Sequence, residues 1–529
     1  MPDLLTYYAI GDILFTSFEL LSLAECVKKE VIMVKVYKVT KTELFCEDYS
    51  VKINGKKAEL NTARVSAHPL NRRWPGHQRG IEQSELVNFL SFAADEPIVI
   101  EIEPSQSFES FAVRPLESSA KAKREGEKII LNIDKAGYYT VEPYGRSRAL
   151  HIFVDEQADF GIDKNDPNVI YFGEGEHDVG DIELKSGQTL FIDEGAVVYA
   201  TVFANDAENI KILGHGILDN SKNKEEILFE VDGDNNDVDV GNAIRRHFIS
   251  FDYCKNILID GVTLRDSLVY NIRPAGCEDI VIRNVKLIGN WRYNSDGIDM
   301  HNCKNVLIDN CFIRTFDDSI CAKGFGAWED GEKMMLHNGK MHDVFCDLLV
   351  KNCVIWNDWG KCFEIGAECC ADKMCDIKFC DSAIIHVNGA PLDCYNIDYA
   401  DVHDIIYENI SIEYDDVIPD SKIQKLDSQR YEDFDHDPDF VPRLISVIVG
   451  YHHEYSGGKT RRGRARRFTF KNIRLYGRQK IKLCARGYDA EHTSEDILIE
   501  NLYRNGEKIN DFDQTITEFN EFTKNIRIK

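Results

Sequence analysis

The sequence predicts an all-β protein in which a small β-sandwich domain precedes a parallel β-helix, a solenoid built from stacked coils. Two observations carry this prediction. Short alternating strand patterns fill residues 33–155, and a strand–corner–strand unit then recurs through residues 156–529. A unit that recurs every ~20–50 residues indicates a solenoid. Because no helical pattern lies between the short apolar runs, we expect β-helix coils and not leucine-rich repeats.

The N-terminal part is predicted to be a sandwich because apolar and polar residues alternate along short runs that are separated by turn residues. The four clearest runs are 51–53, 98–102, 128–133 and 149–154. Residues 1–32 precede them and contain apolar stretches that Asp12 and Glu19 interrupt, without a basic start. We expect a disordered or misassigned extension there, and no signal peptide.

Each predicted coil of the β-helix begins with a polar pair, followed by a short apolar strand, a polar corner and a second short strand. Equivalent strand positions are separated by 23 and then 26 residues in three consecutive copies, which are 255–262, 278–285 and 304–311. Asparagine tolerates the left-handed backbone conformation of a tight corner. We therefore expect tight corners at three equivalent asparagines, Asn284, Asn310 and Asn352.

Composition argues against several kinds of partner. The net charge of −27 disfavours nucleic acid and an anionic membrane, and no run of 18 apolar residues offers a membrane helix. Sixteen cysteines without a secretion signal are expected to be reduced, which predicts a cytoplasmic protein. Cys369, Cys370 and Cys375 have no histidine at ligand spacing, so we expect no metal ion and no cofactor. The sequence leaves homo-oligomer formation open.

Three long stretches interrupt the repeat, at residues 324–346, 415–443 and 456–467. The second is acidic and the third is basic. The third is therefore expected to be a solvated loop or a partner of the second, and not an RNA site. An acidic cluster at residues 232–239 lacks the glycine and the terminal glutamate of an EF-hand, so a solvated loop is expected there too.

Two acidic segments are the strongest candidates for chemistry. Asp317 follows Asp296 by 21 positions, close to one repeat, so stacked coils would bring Asp296, Asp317 and Asp318 to one patch of surface. Clustered carboxylates repel, which separates their pKa values and lets one stay protonated near neutral pH. Hydrolysis of a glycosidic bond needs one such acid and one base. Because neighbouring residues in a strand face opposite sides, we also expect a bend or bulge that turns both members of the adjacent pair outward.

These motifs carry a resemblance to a known family. Asn-Ser-Asp-Gly-Ile-Asp at 294–299 and Asp-Asp-Ser-Ile-Cys-Ala-Lys at 317–323 resemble the signature of glycoside hydrolase family 28, the polygalacturonases, within residues 190–415. The front half, with Val-Arg-Pro at 113–115, is similar to family 49, the dextranases and isopullulanases. The resemblance implies a right-handed parallel β-helix and hydrolysis with inversion.

The resemblance also implies roles for individual residues. Asp317 matches the general acid, and Asp296 with Asp318 matches the pair that activates water. Asn294 and Lys323 match positions that line the same face. An inverting acid and base stand ~6.5–9.5 Å apart, and a coil rise of about 4.8 Å with a sideways step along the strand gives a spacing of that order.

Two family motifs differ in this chain. The family's Gly-His-Gly is Gly-Lys-Cys at 360–362 here, and the Gly-His-Gly at 214–216 lies in an early coil, where we expect a structural turn. The family's Arg-Ile-Lys is missing, and no arginine occurs between Arg314 and Arg430. Because arginine is the preferred bidentate partner of a carboxylate, a neutral, glucan-like sugar is favoured over galacturonan.

We therefore predict an inverting glycoside hydrolase acting on a poly- or oligosaccharide, with an imported oligosaccharide favoured by the cytoplasmic location. Four residues are candidates for substrate contacts, with a surface position on a coil edge as the alternative: Trp359, Lys361, Glu364 and Asp393. Loops 324–346 and 415–443 are predicted to close one end of the groove and make the enzyme exo-acting. A polysaccharide lyase and a non-catalytic carbohydrate-binding β-helix are the alternative functions.

Overall fold

The computed structural model describes residues 34–67, 81–222, 247–325, 343–414, 441–453 and 456–529, and the backbone of four short strands between these ranges. Within these residues the regular structure is β-strand, apart from two 3-10 helices at Ile81–Gln83 and Phe512–Gln514. No helix in the described part is long and apolar enough to span a membrane. The predicted extension at residues 1–32 lies outside the described residues.

Residues 34–155 form two sheets around a shared core, and we name them the two-sheet unit. The first sheet is antiparallel, with the spatial order Lys56–Ala58, Tyr49–Ile53, Ile98–Pro104, Lys128–Ile133 and Lys121–Glu125. The second has the order Val34–Val36, Ser84–Ala94, Leu150–Asp155, Gly137–Arg146 and Ala112–Arg114, with Asn61–Ser66 paired to Ser84–Ala94. Apolar side chains from alternate positions of both sheets, including Val51, Ile100 and Ile152, fill the core. All four runs from which we predicted a sandwich coincide with strands of these sheets.

The chain then winds into a parallel β-helix with three sheets, in which each strand pairs with the strand one coil further on. Sheet I contains Ile249–Asp252, Ile272–Ala275, Ile298–His301, Ile320–Phe325, Phe363–Cys370, Leu392–Asn396, Ile445–Val449, Lys482–Arg486 and Ile516–Phe519. Sheet II contains Val169–Phe172, Thr189–Ile192, Glu208–Gly214, Lys255–Asp260, Glu278–Arg283, Lys304–Asp309, Val344–Lys351, Lys373–Cys380, Asp401–Glu408, Arg464–Tyr476, Ser494–Arg504 and Thr523–Ile528. Sheet III contains Ile217–Asp219, Thr263–Arg265, Lys286–Leu287, Phe312–Thr315, Val354–Asn357, Ala383–His386 and Ser411–Glu413.

A few strands depart from this regular winding. Gly175–Glu183 and Ala196–Asn205 are long and run from sheet III into sheet I. The remaining short strands form antiparallel pairs: Phe229–Val231 with Asp237–Asp239, Ser421–Ile423 with Asp435–Asp437, and Glu507–Ile509 with the end of Ser494–Arg504. The predicted all-β architecture, with a parallel β-helix after a small sandwich-like unit, is thus the observed one.

Aligned side chains fill the interior of the solenoid, and asparagines form its corners. One aromatic stack has ring centroids 4.9 to 5.0 Å apart, and its members are Phe363, Phe379, Tyr407 and Phe470. The cysteines of the described residues are free thiols, most of them buried. The predicted corner residues Asn284, Asn310 and Asn352 have φ of 56°, 50° and 56°, as a tight left-handed corner requires. Asn310 Nδ2 also donates to Asn284 Oδ1 at 2.8 Å, which links successive corners.

The two-sheet unit packs against sheet III of the β-helix. Aromatic and aliphatic side chains from both sides form one buried cluster there. A buried ion pair also crosses the junction, with Lys286 Nζ 2.7 Å from Asp155 Oδ2. His215 stacks on Tyr37 with ring centroids 4.2 Å apart. The Gly-His-Gly at 214–216 is therefore part of this junction, in agreement with its interpretation as a structural element.

The basic run at 456–467 differs in part from its prediction as a loop. Its end belongs to the strand Arg464–Tyr476 of sheet II. Two of its arginines each bind a carboxylate of the preceding coil through two nitrogen atoms; the pairs are Arg466 with Asp401 and Arg467 with Asp404. These partners belong to the solenoid and not to the acidic stretch. Most of the acidic stretch, of loop 324–346 and of cluster 232–239 lies outside the described residues.

Candidate active site

The three predicted catalytic carboxylates lie together at the amino-terminal edge of sheet I. Asp296 precedes the strand Ile298–His301, and Asp317 and Asp318 precede its neighbour Ile320–Phe325. Because these strands pair in register, the two acidic segments stack on each other. One carboxylate oxygen from each aspartate lies within 4.8 Å of the others. The structure therefore brings together the residues whose spacing predicted convergence.

The structure limits the spacing of single oxygen atoms within this cluster. We anticipated ~6.5–9.5 Å between acid and base, from one coil rise plus a step along the strand. The nearest oxygens of the three carboxylates lie within 4.8 Å of one another. Because this distance joins single oxygens and not whole carboxyl groups, the separation of acid and base stays a prediction.

The backbone bends at the adjacent aspartates, as the sequence predicted. Thr315 Oγ1 and Asn357 Nδ2 both donate to the carbonyl oxygen of Asp317, each at 2.7 Å. Gly360 packs on the other side of the bend, where a Cβ atom would lie 2.5 Å from the nitrogen of Asp318. A side chain at position 360 would therefore displace the bend, and glycine is required there.

The two adjacent carboxylates accept hydrogen bonds from opposite neighbouring coils. Asp317 Oδ2 accepts from the backbone N–H of Asn294 at 3.0 Å, in the coil before it. Asp318 Oδ1 accepts from the backbone N–H of Lys361 at 2.8 Å, in the coil after it. Neighbours in sequence thus have different electrostatic surroundings.

Two lysines compensate part of the negative charge. Lys323 Nζ lies 3.2 Å from Asp299 Oδ2 and 3.7 Å from both Asp296 Oδ2 and Glu368 Oε2. Lys323 is therefore buried among three carboxylates.

The second lysine, Lys361, lies on the other side of the cluster. Lys361 Nζ lies 2.6 Å from Glu364 Oε1 and 3.8 Å from Asp318 Oδ1. The site thus has more carboxylates than cations, so that at least one carboxyl group gains from holding a proton.

Burial and neighbouring charges separate the pKa values of the three carboxyl groups. Burial, reinforced by the charge of Asp318, raises the pKa of Asp317 to about 7. Burial also acts on Asp318, but Lys361, a hydrogen bond with Glu364 and Lys323 together outweigh it and hold the pKa of that carboxyl below its usual range. Burial together with Asp299 and Asp317 raises the pKa of Asp296 well above its usual range. Near neutral pH the cluster therefore holds a protonated carboxyl beside an ionised one.

This arrangement places a proton donor next to a proton acceptor, with Asp317 as the donor and Asp318 as the acceptor. The resemblance pairs Asp296 with Asp318 in activating water, and burial of Asp296 beside Asp299 favours its protonated form. The clustered oxygens are also close enough to share a cation. Two lysines already supply positive charge at the cluster.

The predicted substrate contacts occupy different depths of the site. Trp359 stacks on Phe316 with ring centroids 5.7 Å apart and forms an aromatic wall, and the Lys361 side chain is 30% exposed. Glu364 is fully buried and accepts a hydrogen bond from Lys361, so it holds the lysine in place. This burial does not agree with the prediction that Glu364 contacts the sugar. Asp393 pairs with Glu364 across neighbouring strands and is 4% exposed.

Several residues that shape the site escaped the sequence analysis, namely Asp299, Glu368, Asn357 and Gly360. Asp299 could have been found, because Ile298 and Met300 face the core and strict alternation then places it on the outer face. The other three act through contacts with distant segments, for which the sequence carries no local signal.

Comparisons with known proteins show a likeness to glycosidases over the part of the chain that carries this site. Residues 180–339 match the model of the glycosyl hydrolases family 28. The chain resembles that family. All three clustered aspartates fall within the matched stretch. A curated relative, a probable polygalacturonase from Vitis vinifera, is 25% identical over 185 residues, which cover 30% of this chain and 37% of the relative. The matched part thus spans well under half of that relative's length.

Solved structures share the architecture. Dex49A from Penicillium minioluteum superposes with a TM-score of 0.59 at 12% identity, covering 93% of this chain and 95% of that chain. The hyperthermoactive exopolygalacturonase from Thermotoga maritima gives a TM-score of 0.44 at 20% identity, covering 68% and 83% of the two chains. The first likeness extends the shared fold over the front half. The resemblance to family 28 is confirmed, and the front half shares its fold with Dex49A.

Proposed function

We propose that the protein is an inverting glycoside hydrolase that cleaves a neutral, glucan-like poly- or oligosaccharide. The pair of adjacent aspartates carries the proposal. Burial and the charge of Asp318 keep Asp317 protonated, and Lys361 in the following coil helps to keep Asp318 ionised, within a stretch that matches a glycosidase family. Such a split between two carboxyl groups is what acid and base catalysis of glycoside hydrolysis requires.

The proposed reaction follows from this split. Asp317 donates its proton to the glycosidic oxygen as the bond to the anomeric carbon breaks. Asp318 accepts a proton from the water that attacks that carbon from the opposite face, with Asp296 orienting the water. The leaving sugar gains a hydroxyl group, and the new hydroxyl at the anomeric carbon has the inverted configuration. The two aspartates return to their starting states by proton exchange with solvent.

A neutral sugar is proposed because the cations of the site are already committed. Lys323 lies among three carboxylates, and Lys361 lies between two. Glu364 and Asp393 add further acidic groups along sheet I. A uronate carboxylate would therefore enter a region of excess negative charge, whereas a neutral sugar meets no such repulsion.

Release of reducing ends from a panel of neutral and uronic oligosaccharides tests the proposal. The wild type is compared with Asp317→Asn, and Asp381→Asn, at an exposed corner of the solenoid, is the matched control. We expect release from a neutral glucan, loss of release with Asp317→Asn, and wild-type release with the control. Release only from uronic members would contradict the neutral substrate, and release unaffected by Asp317→Asn would contradict the assigned acid.

The stereochemical outcome needs its own measurement, because acid and base groups ~6.5–9.5 Å apart are typical of inverting enzymes and groups ~5–5.5 Å apart of retaining ones. Proton NMR of the first product formed distinguishes the two anomers before they equilibrate. The proposal predicts the anomer opposite to that of the substrate bond, and the retained anomer would contradict it. Exo action and a cytoplasmic location stay predictions.

A further inference from the structure

An arginine of the two-sheet unit reaches the loops that carry one side of the candidate active site. Arg146 Nη2 donates to Asp358 Oδ1, and its Nη1 lies 3.5 Å from Asn388 Oδ1. Asn388 Nδ2 in turn donates to the carbonyl oxygen of Asp358 at 3.2 Å. One guanidinium group thus ties together two successive loops, each of which leads into a strand of sheet I.

The first of these loops continues directly into the site. Asp358 is followed by Trp359, Gly360 and Lys361, and the backbone N–H of Lys361 donates to Asp318 Oδ1 at 2.8 Å. The loop has little freedom to adjust on its own. The N–H of Asp358 bonds to the preceding coil at 3.0 Å, and that of Gly360 does so at 3.1 Å. A shift at Asp358 would therefore be transmitted to Lys361.

The second loop packs tightly on the first. A Cβ atom at Gly389 would lie 2.1 Å from the carbonyl oxygen of Gly360, so the two backbones are in direct contact. The guanidinium of Arg146 holds both loops at this contact. Neither Asn388 nor Arg146 lies within the motifs of the catalytic cluster, and Arg146 precedes Asp358 by 212 positions.

The Arg146 contact carries a buried charge. Asp358 is 1% exposed, and its other oxygen, Oδ2, lies 3.9 Å from Arg314 Nε. Without Arg146, this buried carboxylate keeps, among the described residues, only the distant Arg314 and the indole N–H of Trp356, which donates to Oδ1 at 2.8 Å. The uncompensated charge then favours a shift of the loop that begins at Asp358 toward water.

We infer that Arg146 is a positioning residue for the proposed hydrolysis: it holds loop 358–361 so that Lys361 stays against the base Asp318. The inference rests on the proposed function and adds a role for the two-sheet unit, which supplies a part of the site from outside the β-helix. Removing the guanidinium group of Arg146 loosens the loop, weakens the contact of Lys361 with Asp318, and makes the Asp318 carboxylate easier to protonate.

The test compares Arg146→Gln and Arg146→Lys with Arg474→Gln. Arg474 also joins the two units, through Nε and Nη2 contacts of 2.6 and 2.8 Å to Glu117, away from the loop. For Arg146→Gln we expect kcat to fall by up to ~10²-fold and the acidic limb of the pH profile to move to higher pH. Arg146→Lys should recover part of both changes, and Arg474→Gln should keep the wild-type profile.

The inference is overturned if Arg146→Gln and Arg474→Gln lower Tm alike while both keep the wild-type pH profile, which would make Arg146 a docking residue only. If Arg146→Gln does not fold, Arg146→Lys decides alone, and an unchanged profile contradicts the inference. Hydrolysis by the wild type is measured first, with Asp317→Asn as the negative control. A wild type without activity on the whole panel counts against the proposed function itself, and with it against any positioning role.

Discussion

Replacing Lys361 by methionine removes the cation that stabilises the ionised base. The Lys361 Nζ lies 3.8 Å from Asp318 Oδ1, and two unit charges at this distance attract by about 4 kcal/mol at an effective dielectric constant of about 20. Glu364 lies closer to the same nitrogen, at 2.6 Å, and the lysine side chain is 30% exposed. We therefore expect the loss of Lys361 to destabilise the ionised form of Asp318 by roughly 1–2 kcal/mol, which raises its affinity for a proton about tenfold.

The sign of the pH effect follows from the role of the base. Lys361 lowers the pKa of Asp318, so the methionine variant should have a higher pKa there and lose the ionised form at a higher pH. In a plot of kcat/KM against pH, the acidic limb should move to higher pH, and the loss of activity should be largest at low pH. Lys378→Met is the matched control, because Lys378 pairs with Glu408 at 2.8 Å on sheet II. An unchanged acidic limb in Lys361→Met would refute the reasoning.

Three further predictions concern the bend and its wall. Asp317→Asn should lower kcat by ~10²–10⁴-fold. It should also raise Tm by an amount that is small near pH ~4, grows as pH rises to about 7 and stays constant above it, because a buried carboxyl with a raised pKa contributes stability that is lost between its unfolded pKa of ~3.9 and its folded pKa of about 7. An equal Tm change at pH ~4 and pH ~8 would contradict this. Gly360→Ala should cost roughly 1–3 kcal/mol in denaturant unfolding and abolish activity, because its Cβ would lie 2.5 Å from a backbone nitrogen. The control Gly173→Ala, which meets only the Tyr171 ring at 3.3 Å, should be tolerated, and equal costs at both sites would contradict the packing argument. Trp359→Ala should raise KM several-fold with a smaller effect on kcat, as expected for an aromatic wall that stacks on sugar; a fall in kcat with constant KM would contradict that role.

The solenoid could be predicted from the sequence because its strands repeat at nearly constant spacing and its corners need residues that accept a left-handed conformation. Asn284, Asn310 and Asn352 mark such corners in the sequence, and all three have positive φ in the structure. Sequence spacing also located the strands of the two-sheet unit. How that unit packs on sheet III could not be predicted, because the junction joins segments far apart in sequence, such as Asp155 and Lys286.

The carboxylate cluster was predictable from the repeat, but the surroundings of each carboxyl group were not. The spacing of Asp296 and Asp317 placed them in adjacent coils, and the pair Asp317–Asp318 required a bend. The sequence contains no measure of the sideways step between coils. It also left Glu364 as a candidate sugar contact, whereas its burial against Lys361 is a tertiary feature. The contact of Arg146 with Asp358 is also a tertiary feature, between segments far apart in sequence, and could not be predicted.

The central claim is that one carboxyl group of the cluster, Asp317, holds a proton near neutral pH beside an ionised Asp318. Infrared difference spectra of the wild type minus Asp317→Asn, recorded from about pH 5 to about pH 9, report this proton directly and need no substrate. The account predicts a carbonyl band of a protonated carboxyl group that disappears with a midpoint near the pKa of about 7. A difference spectrum that shows only carboxylate bands throughout this range would contradict it.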